Sequence, residues 1–352
     1  MQWNDDTKET HSYQGSERAE KKVLVTGGAG YVGSVLTPQL LDEGYDVTVY
    51  DIMFFGDDFL PKDHPRLNTI RGDIRDTKYL AKVLAGQDAV IHLACISNDA
   101  SFELDESLST SINLDAFEPM VIAAKEAGVK RFIYASSSSV YGVSDAPEVT
   151  EDHPLVPLTL YNKYKGMCEP RLFAHTDETF TGVVFRPATV CGYAPRQRLD
   201  LSVNILTNHA VTNGKITVFG GSQLRPNLHI QDYVDLCKLL LVAPKEKIAD
   251  QIFNCGYQNM SIMDLAVLVK KVVEEHFPEK APIDIVTTPT DDIRSYHINS
   301  DKIRRVLGFQ PKHTIEEAIA DLCRAFGDGL LPDSMTNDWY YNVRMLKKLN
   351  AA

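Results

Sequence analysis

Positive charge is in short supply in this chain. Lysine and arginine total 36 against 48 aspartates and glutamates in 352 residues, a formal net charge of −12. An acidic surface argues against general binding to nucleic acid or to an anionic membrane, while leaving room for a local basic pocket that takes a phosphate. Long apolar runs are also missing, and no stretch approaches the roughly 18 residues of a membrane span. The opening, MQWNDDTKETHSYQGSERAEKK, lacks the apolar core of a secretion signal. Polar and unpatterned, it is expected to be disordered to about residue 21. The six cysteines (95, 168, 191, 237, 255 and 323) form no CxxC pair, and several lie inside apolar runs such as IHLACIS and VDLCKLLL. That pattern suits buried free thiols in a reducing cytoplasm. No cluster of His, Cys and Asp has metal-ligand spacing, so no metal is expected. Internal repeats and low-complexity linkers are absent as well.

What is present is a regular alternation. KKVLVTGGAGYVGSVLTPQLLDEGYDVTVYD reads as strand, glycine turn, helix and strand, with the first strand at 23–26 and the helix at 31–42, ending near Gly44. Pro38 falls inside that helix and is expected to kink it. Further strands follow at LNTIRGDI, DAVIHLAC, RFIYASSSS and TGVVFRPATV, separated by helices over 77–84, 114–127 and around Tyr161. Short apolar runs between helical patterns predict an α/β fold, a doubly wound parallel sheet covered on both faces. After about residue 190 the alternation fades into a smaller C-terminal α/β domain. SIMDLAVLVKKVVEEHF and DKIRRVLGF are expected as helices there, and SMTNDWYYNVRMLKKLNAA as a helical tail.

The stretch TGGAGYVG follows a predicted strand and opens a helix. Gly27 permits the tight turn, Gly30 lets the backbone approach a pyrophosphate, and Gly33 lets helix and strand pack closely. Asp51 closes the next strand 18 positions after Gly33. Its carboxylate would accept hydrogen bonds from a free ribose 2′-hydroxyl and repel a 2′-phosphate, and no arginine adjoins it in sequence. NAD is therefore the expected cofactor rather than NADP.

A second pattern is LTLYNKYKGMCEP, residues 158–170. Of its two tyrosines and two lysines, only Tyr161 and Lys165 stand four apart, on one helix face. An isolated pair of this kind reads as a solvated surface. It gains meaning from its companions: TGxxGxxG, Asp73 and Ile74 in RGDIRD, HLA at 92–94, SSSSVYG and then YxxxK. In that order they resemble the extended short-chain dehydrogenase/reductase family, in its nucleotide-sugar epimerase/dehydratase branch, over residues 22 to about 325.

That resemblance implies a Rossmann-type NAD-binding domain over 22–190, with segments near 226–258 returning to it. A nucleotide-sugar-binding domain at 191–330 and the tail at 331–352 complete the expected organisation. It implies Tyr161 as acid/base, Lys165 as its helper and Ser137 as a hydrogen-bonding partner of the same sugar hydroxyl. A free phenol has a pKa near 10 and is a poor base at neutral pH, so a nearby ammonium must favour the phenolate. The cofactor contacts it implies are Gly27, Gly30, Tyr31, Val32, Gly33, Asp51, Asp73, Ile74, Leu93, Ala94, Asn113, Tyr161, Lys165 and Pro187. Asn113 would order backbone at the site, although a plain helix cap would look the same.

The positions after Ser137 bear on the reaction. Sugar 4,6-dehydratases of the family typically carry an acid at one or both, and the related uronate decarboxylases place a glutamate at the second. Here they are Ser138 and Ser139, which cannot be strong acids. Oxidation and reduction at one carbon are left: epimerisation at C4, or a 4-dehydrogenase or 4-ketoreductase without inversion. A non-catalytic NAD sensor would be expected to have lost Tyr161 or Lys165. Many epimerases of the family continue R-Y-F-N-V-Y-G. This chain reads RPATVCG, with Thr189 in the Asn place and Cys191 in the second Tyr place, then YAPRQRLDLSVN, similar to a sub-branch containing GDP-heptose 4-dehydrogenases. Ser138, Thr189, Arg198 and Asn204 are the expected substrate contacts, with Asp200 beside them. Arg225 and Arg294 match two diphosphate-binding arginines, whose forked donors suit phosphate oxygens. His92 and His229, in apolar strands, read as packed imidazoles. Homodimerisation through the 114–127 and Tyr161 helices, common among relatives, is expected too.

Overall fold

The computed structural model describes residues 21–350, apart from 98, 291–294 and 296. The expected disorder of the N-terminal tail therefore lies outside the described residues. Seven parallel strands form the main sheet: β1 (Lys22–Thr26), β2 (Asp46–Asp51), β3 (Leu67–Arg71), β4 (Ala89–His92), β5 (Arg131–Ala135), β6 (Thr181–Pro187) and β10 (Gln251–Cys255). Their order across the sheet is β3-β2-β1-β4-β5-β6-β10. The order reverses at β1, which pairs with β2 on one side and β4 on the other, Val25 facing both Val49 and Ile91. In open parallel sheets a ligand crevice forms at such a reversal, outside the carboxyl ends of the strands.

The inner strands are largely apolar and buried because both faces are covered, while the edge strand β3 (LNTIR) is partly exposed. Alternate residues feed two cores. Val25, Val49, Ile91, Ile133 and Val183 meet Leu36 and Leu40 of the Gly33–Asp42 helix and Leu236 and Leu240 of the Ile230–Val242 helix. Their neighbours Leu24, Tyr50, Val90, Phe132 and Val184 meet Leu80, Phe117, Met120, Cys168 and Leu172 on the other face. The first helix runs unbroken through Pro38, and Gly44 follows its end at φ +91°.

One predicted helix differs. The expected 114–127 helix is preceded by a π-turn at Ser111–Asp115, and the regular α-helix covers Phe117–Glu126. The smaller C-terminal part contains β7 (Thr189–Cys191), β9 (Leu224–His229) and β11 (Gln258–Ser261) in one sheet and β8 (Lys215–Phe219) with β12 (Asp284–Thr288) in another. The helices Ser202–Asn213, Ile262–His276 and Ile315–Gly327 pack against them around Val203, Leu206, Leu265, Val269 and Ile319. The chain ends in the helix Asn342–Asn350, whose Leu346 is buried in the second core of the main sheet.

Candidate active site

A cavity of about 370 Å³ opens at the carboxyl end of β1 and β4, where the strand order reverses. Its floor is the glycine turn. Gly27 holds φ +73°, and a Cβ there would stand 2.6 Å from the backbone nitrogen of Ala94. At Gly33 a Cβ would meet the Gly28 carbonyl oxygen at 2.3 Å. These two glycines serve the turn and its packing. Gly30 differs: a Cβ there would touch only the Gly27 carbonyl oxygen, at 3.1 Å, and would otherwise enter the cavity that Gly30 lines. A cradle that a side chain would fill, at a helix start, fits a pyrophosphate.

Asp51 lines the same cavity at the end of β2. Its Oδ2 accepts from the Ala29 amide at 3.0 Å and its Oδ1 from the Met53 amide at 2.8 Å. Burial raises its pKa from the usual carboxylate value, while those amides and the charge of Arg196 pull the other way. The arginine missing from the local sequence around Asp51 is thus supplied by the fold, from 145 residues further on. Its guanidinium carbon lies over the Phe55 ring, 3.6 Å from the centre, and its Nη2 donates to Asn342. Tyr31, Val32, Asp73, Ile74, Leu93, Ala94 and Pro187 also line the cavity. Tyr31 does so with its ring, while its hydroxyl donates to the Gly192 carbonyl at 2.6 Å.

At the far end Ser137, Ser138, Tyr161 and Lys165 line one wall together. Thr159 caps the Leu160–Phe173 helix, accepting from the Asn162 amide, and thereby fixes the turn that carries Tyr161. Lys165 is buried, and its Nζ donates to the Ala135 carbonyl at 2.8 Å, at the end of β5. Ser137 Oγ lies 2.7 Å from Ser139 Oγ, which in turn donates to Asn162 Oδ1. Thr189 and Arg198 are on the cavity wall as well. Arg198 Nε pairs with Asp200 at 2.9 Å. Burial alone would lower the pKa of Arg198, but Asp200 raises it above the ordinary value, with Tyr161 among the smaller contributors.

Three expected residues stand elsewhere. Asn113 lies in the π-turn, neither a helix cap nor on the cavity lining; its Oδ1 accepts from the Ile96 amide at 2.8 Å and its Nδ2 donates to the Ile96 carbonyl at 2.9 Å. It therefore fixes the segment after β4 that does line the cavity. Asn204 is fully buried behind the wall, where its amide bonds to Gly192, Arg198 and Tyr31, so it shapes the strap over the cavity from behind. A helix-facing asparagine looks like a ligand in sequence because its burial against backbone is a tertiary matter. Arg225 is on β9, off the cavity lining, and donates to the Leu224 carbonyl. Arg294 lies outside the described residues.

Several lining residues carry no signal in the sequence reading. Arg196 sits in the YAPRQRLDLSVN stretch, where nothing local signals its approach to Asp51. Asp99 lines the cavity and accepts from Thr159 Oγ1 at 2.6 Å. Asn342 reaches the cavity from the C-terminal helix. His92 lies behind the wall, its Nδ1 2.6 Å from Thr26 Oγ1 and its ring stacked on Tyr134. Burial, followed by the charge of Lys165, lowers its pKa to about 3. All six cysteines are free.

A parallel sheet with a glycine turn and an acidic residue at its switch point, joined to a Ser–Tyr–Lys set, defines an NAD-dependent enzyme of the extended short-chain dehydrogenase/reductase type. The chain belongs to the NAD dependent epimerase/dehydratase family, which matches residues 23–256. It is 30% identical over 331 residues to a UDP-glucose 4-epimerase of Lactobacillus helveticus, covering 85% of this chain and 95% of that protein. It is 28% identical over 309 residues to a dTDP-glucose 4,6-dehydratase of Streptomyces griseus, covering 85% and 92%. Among solved structures, MoeE5 in complex with UDP-glucuronic acid and NAD superposes with a TM-score of 0.75 at 27% identity, over 88% of this chain and 99% of that one. The family handles nucleotide sugars with NAD, and the residues lining the cavity fit that cofactor: the Gly30 cradle would take the pyrophosphate and Asp51 a ribose, with Tyr161 and Lys165 on the same lining. No helix among the described residues is long and apolar enough to cross a membrane.

Proposed function

We propose that this chain is a nucleotide-sugar epimerase that oxidises and re-reduces its substrate at C4 through a 4-keto intermediate. The observation that carries this reading is the wall formed by Ser137, Ser138 and Ser139. Elimination of water needs a strong acid beside the departing hydroxyl; these positions offer only hydroxyls, with Ser139 engaged by Asn162, and the Asp99 carboxylate elsewhere on the lining accepts from Thr159 Oγ1. Oxidation and reduction at one carbon asks less of the protein. It needs a group that moves one proton and donors that support the developing alkoxide.

When bound, the nicotinamide supplies acceptance and return of the hydride at the sugar carbon. Tyr161 takes the proton of the 4-hydroxyl and gives it back on the return step. Lys165, held at the end of β5, and Arg198, close enough for charge on Tyr161 to act on it, both favour the phenolate. Ser137 hydrogen-bonds the same sugar oxygen and orients it. Ser138 and Thr189 contact the sugar, and a nucleoside diphosphate completes the substrate, as in the relatives described above. The molecule works as a homodimer through the Phe117–Glu126 and Leu160–Phe173 helices; a monomer by light scattering would count against that part alone.

One observation favours a second reading, a 4-dehydrogenase or 4-ketoreductase. Thr189 and Cys191 replace the Asn and Tyr of the family's common epimerase pattern, and Cys191 is fully buried. A panel of nucleotide sugars separates the possibilities. NMR is expected to show inversion at C4 with no change in product mass. A product lighter by two hydrogens would replace the epimerase with the dehydrogenase, and one lighter by a water would restore elimination.

A further inference from the structure

Residues 336–349 do not trail away from the molecule. The Leu199 amide donates to the Tyr340 carbonyl at 2.9 Å, and the Asn342 amide donates to Asp200 Oδ2 at 3.0 Å. The Trp339 ring lies 3.6 Å from where a side chain on Gly56 would begin, in the loop after β2. Asn342 itself is buried and bonds both the strap and the segment after β4, which Arg198 Nη1 also joins by donating to Ser97 Oγ at 3.1 Å. Asn342 Oδ1 accepts from Arg196 Nη2 at 2.7 Å, and its Nδ2 donates to Ser97 Oγ at 2.9 Å. Ser97 follows β4 of the main sheet, and Arg196 belongs to the strap at 194–200. That strap crosses the glycine turn, because the Arg196 amide donates to Ser34 Oγ at 3.2 Å, on the helix that the turn opens.

The strap brings two guanidinium groups to one cavity wall. Both are buried, and each keeps one nitrogen, Arg196 Nε and Arg198 Nη2, without a hydrogen-bond partner among the described residues. Their mutual repulsion is opposed by Asp200 beside Arg198 and by Asp51 within reach of Arg196. Burial and the charge of Arg198 together bring the Arg196 pKa down to about 9. A buried pair of guanidinium groups with unused donors is an arrangement that an anion completes.

We infer that the C-terminal tail is a clasp on the cofactor site, with Asn342 as the positioning residue that joins strap to sheet and slows the release of NAD. The dinucleotide's pyrophosphate lies between the glycine turn and the strap, and Asn342 holds Arg196 in place above it. NAD leaves more slowly while the bonds of Asn342 to Arg196 and Ser97 hold, beside the direct bond from Arg198 to Ser97. The inference needs NAD binding alone and goes beyond the sugar chemistry, although a retained cofactor suits a reaction that returns its hydride to the same sugar.

The test uses the full chain without sugar. Protein loaded with radiolabelled NAD is diluted into excess unlabelled NAD, and retained label is followed by rapid filtration. Asn342→Ala is expected to release label roughly tenfold faster or more, the scale of a lost charge-assisted hydrogen bond. Asn342→Asp can still accept from both Arg196 and Ser97, and is expected to release at close to the parent rate. Release from Asn342→Ala at the parent rate, or equal acceleration in both variants, overturns the clasp. Should Asn342→Ala not fold, hydrogen–deuterium exchange on the unaltered protein decides. Residues 336–349 are expected to exchange more slowly with saturating NAD, and unchanged exchange overturns the inference. Because no sugar is turned over, these outcomes are independent of the substrate panel.

Discussion

Arg186 on β6 and Glu169 on the Leu160–Phe173 helix form a bidentate ion pair in the interior. Nη2 meets Oε2 at 2.6 Å, Nε meets Oε1 at 2.9 Å, and both side chains are 3% exposed. Ser136 Oγ donates to the same carboxylate at 2.6 Å, and Arg186 Nη1 donates to the Tyr141 hydroxyl at 2.7 Å. The pair thus ties the helix carrying Tyr161 and Lys165 to the strand end carrying Ser137.

Removing one partner leaves a buried charge unanswered. Glu169→Leu or Arg186→Met alone is expected to cost about 3–5 kcal/mol in urea unfolding. The double variant Glu169→Leu/Arg186→Met is expected to cost less than the sum of the two. Strict additivity would mean that the pair does not couple helix to sheet.

The glycine turn separates folding from binding. Gly33→Ala places a Cβ 2.3 Å from a backbone oxygen and is expected to lower the melting temperature. Gly30→Val fills the cavity and meets little else. It is expected to melt close to the parent while failing to retain NAD in equilibrium dialysis. Normal NAD retention in that variant would move the pyrophosphate away from Gly30.

The phenol of Tyr161 is assigned a proton-transfer role, which a phenyl ring cannot perform. Tyr161→Phe is expected to bind NAD normally and to lose turnover of nucleotide sugar by roughly 10²- to 10⁴-fold. Stopped assays with product NMR check this, and parent-like turnover would remove Tyr161 from the chemistry.

His92 gives the fold an acid sensitivity. Its pKa in the folded protein is about 3, against 6.5 for an unperturbed imidazole. The unfolded chain therefore binds the proton first, so the stability this group contributes is complete above pH 6.5 and is lost as pH falls toward 3. At up to about 1.4 kcal/mol per unit, the fall from pH 6.5 to 4.5 is worth roughly 2–3 kcal/mol. Urea unfolding of His92→Leu across that window is expected to show a flatter pH dependence than the parent. Parallel profiles would place the acid sensitivity elsewhere.

Much of this was legible along the chain. The inner strands of the main sheet show as short apolar runs because both faces are covered. The glycine turn, Asp51, and Tyr161 with Lys165 are local patterns whose spacing reports their geometry. The π-turn at Ser111–Asp115 was hidden, because one extra residue in a helical turn hardly alters the apolar period around it. Asn204 was misplaced for the converse reason. An amide on a helix looks the same whether it faces a ligand or satisfies Gly192 and Arg198 behind the wall.

The amino-acid order by itself determined the alternating architecture, the glycine turn and the Tyr161–Lys165 spacing, since each depends on residues within one or two turns of chain. Only the tertiary structure decided that Arg196 approaches Asp51 and that Asn342 closes the wall above them. Those contacts join positions 145 and 146 residues apart. They follow from how strap and tail pack on the sheet, and no local propensity or periodicity encodes that packing.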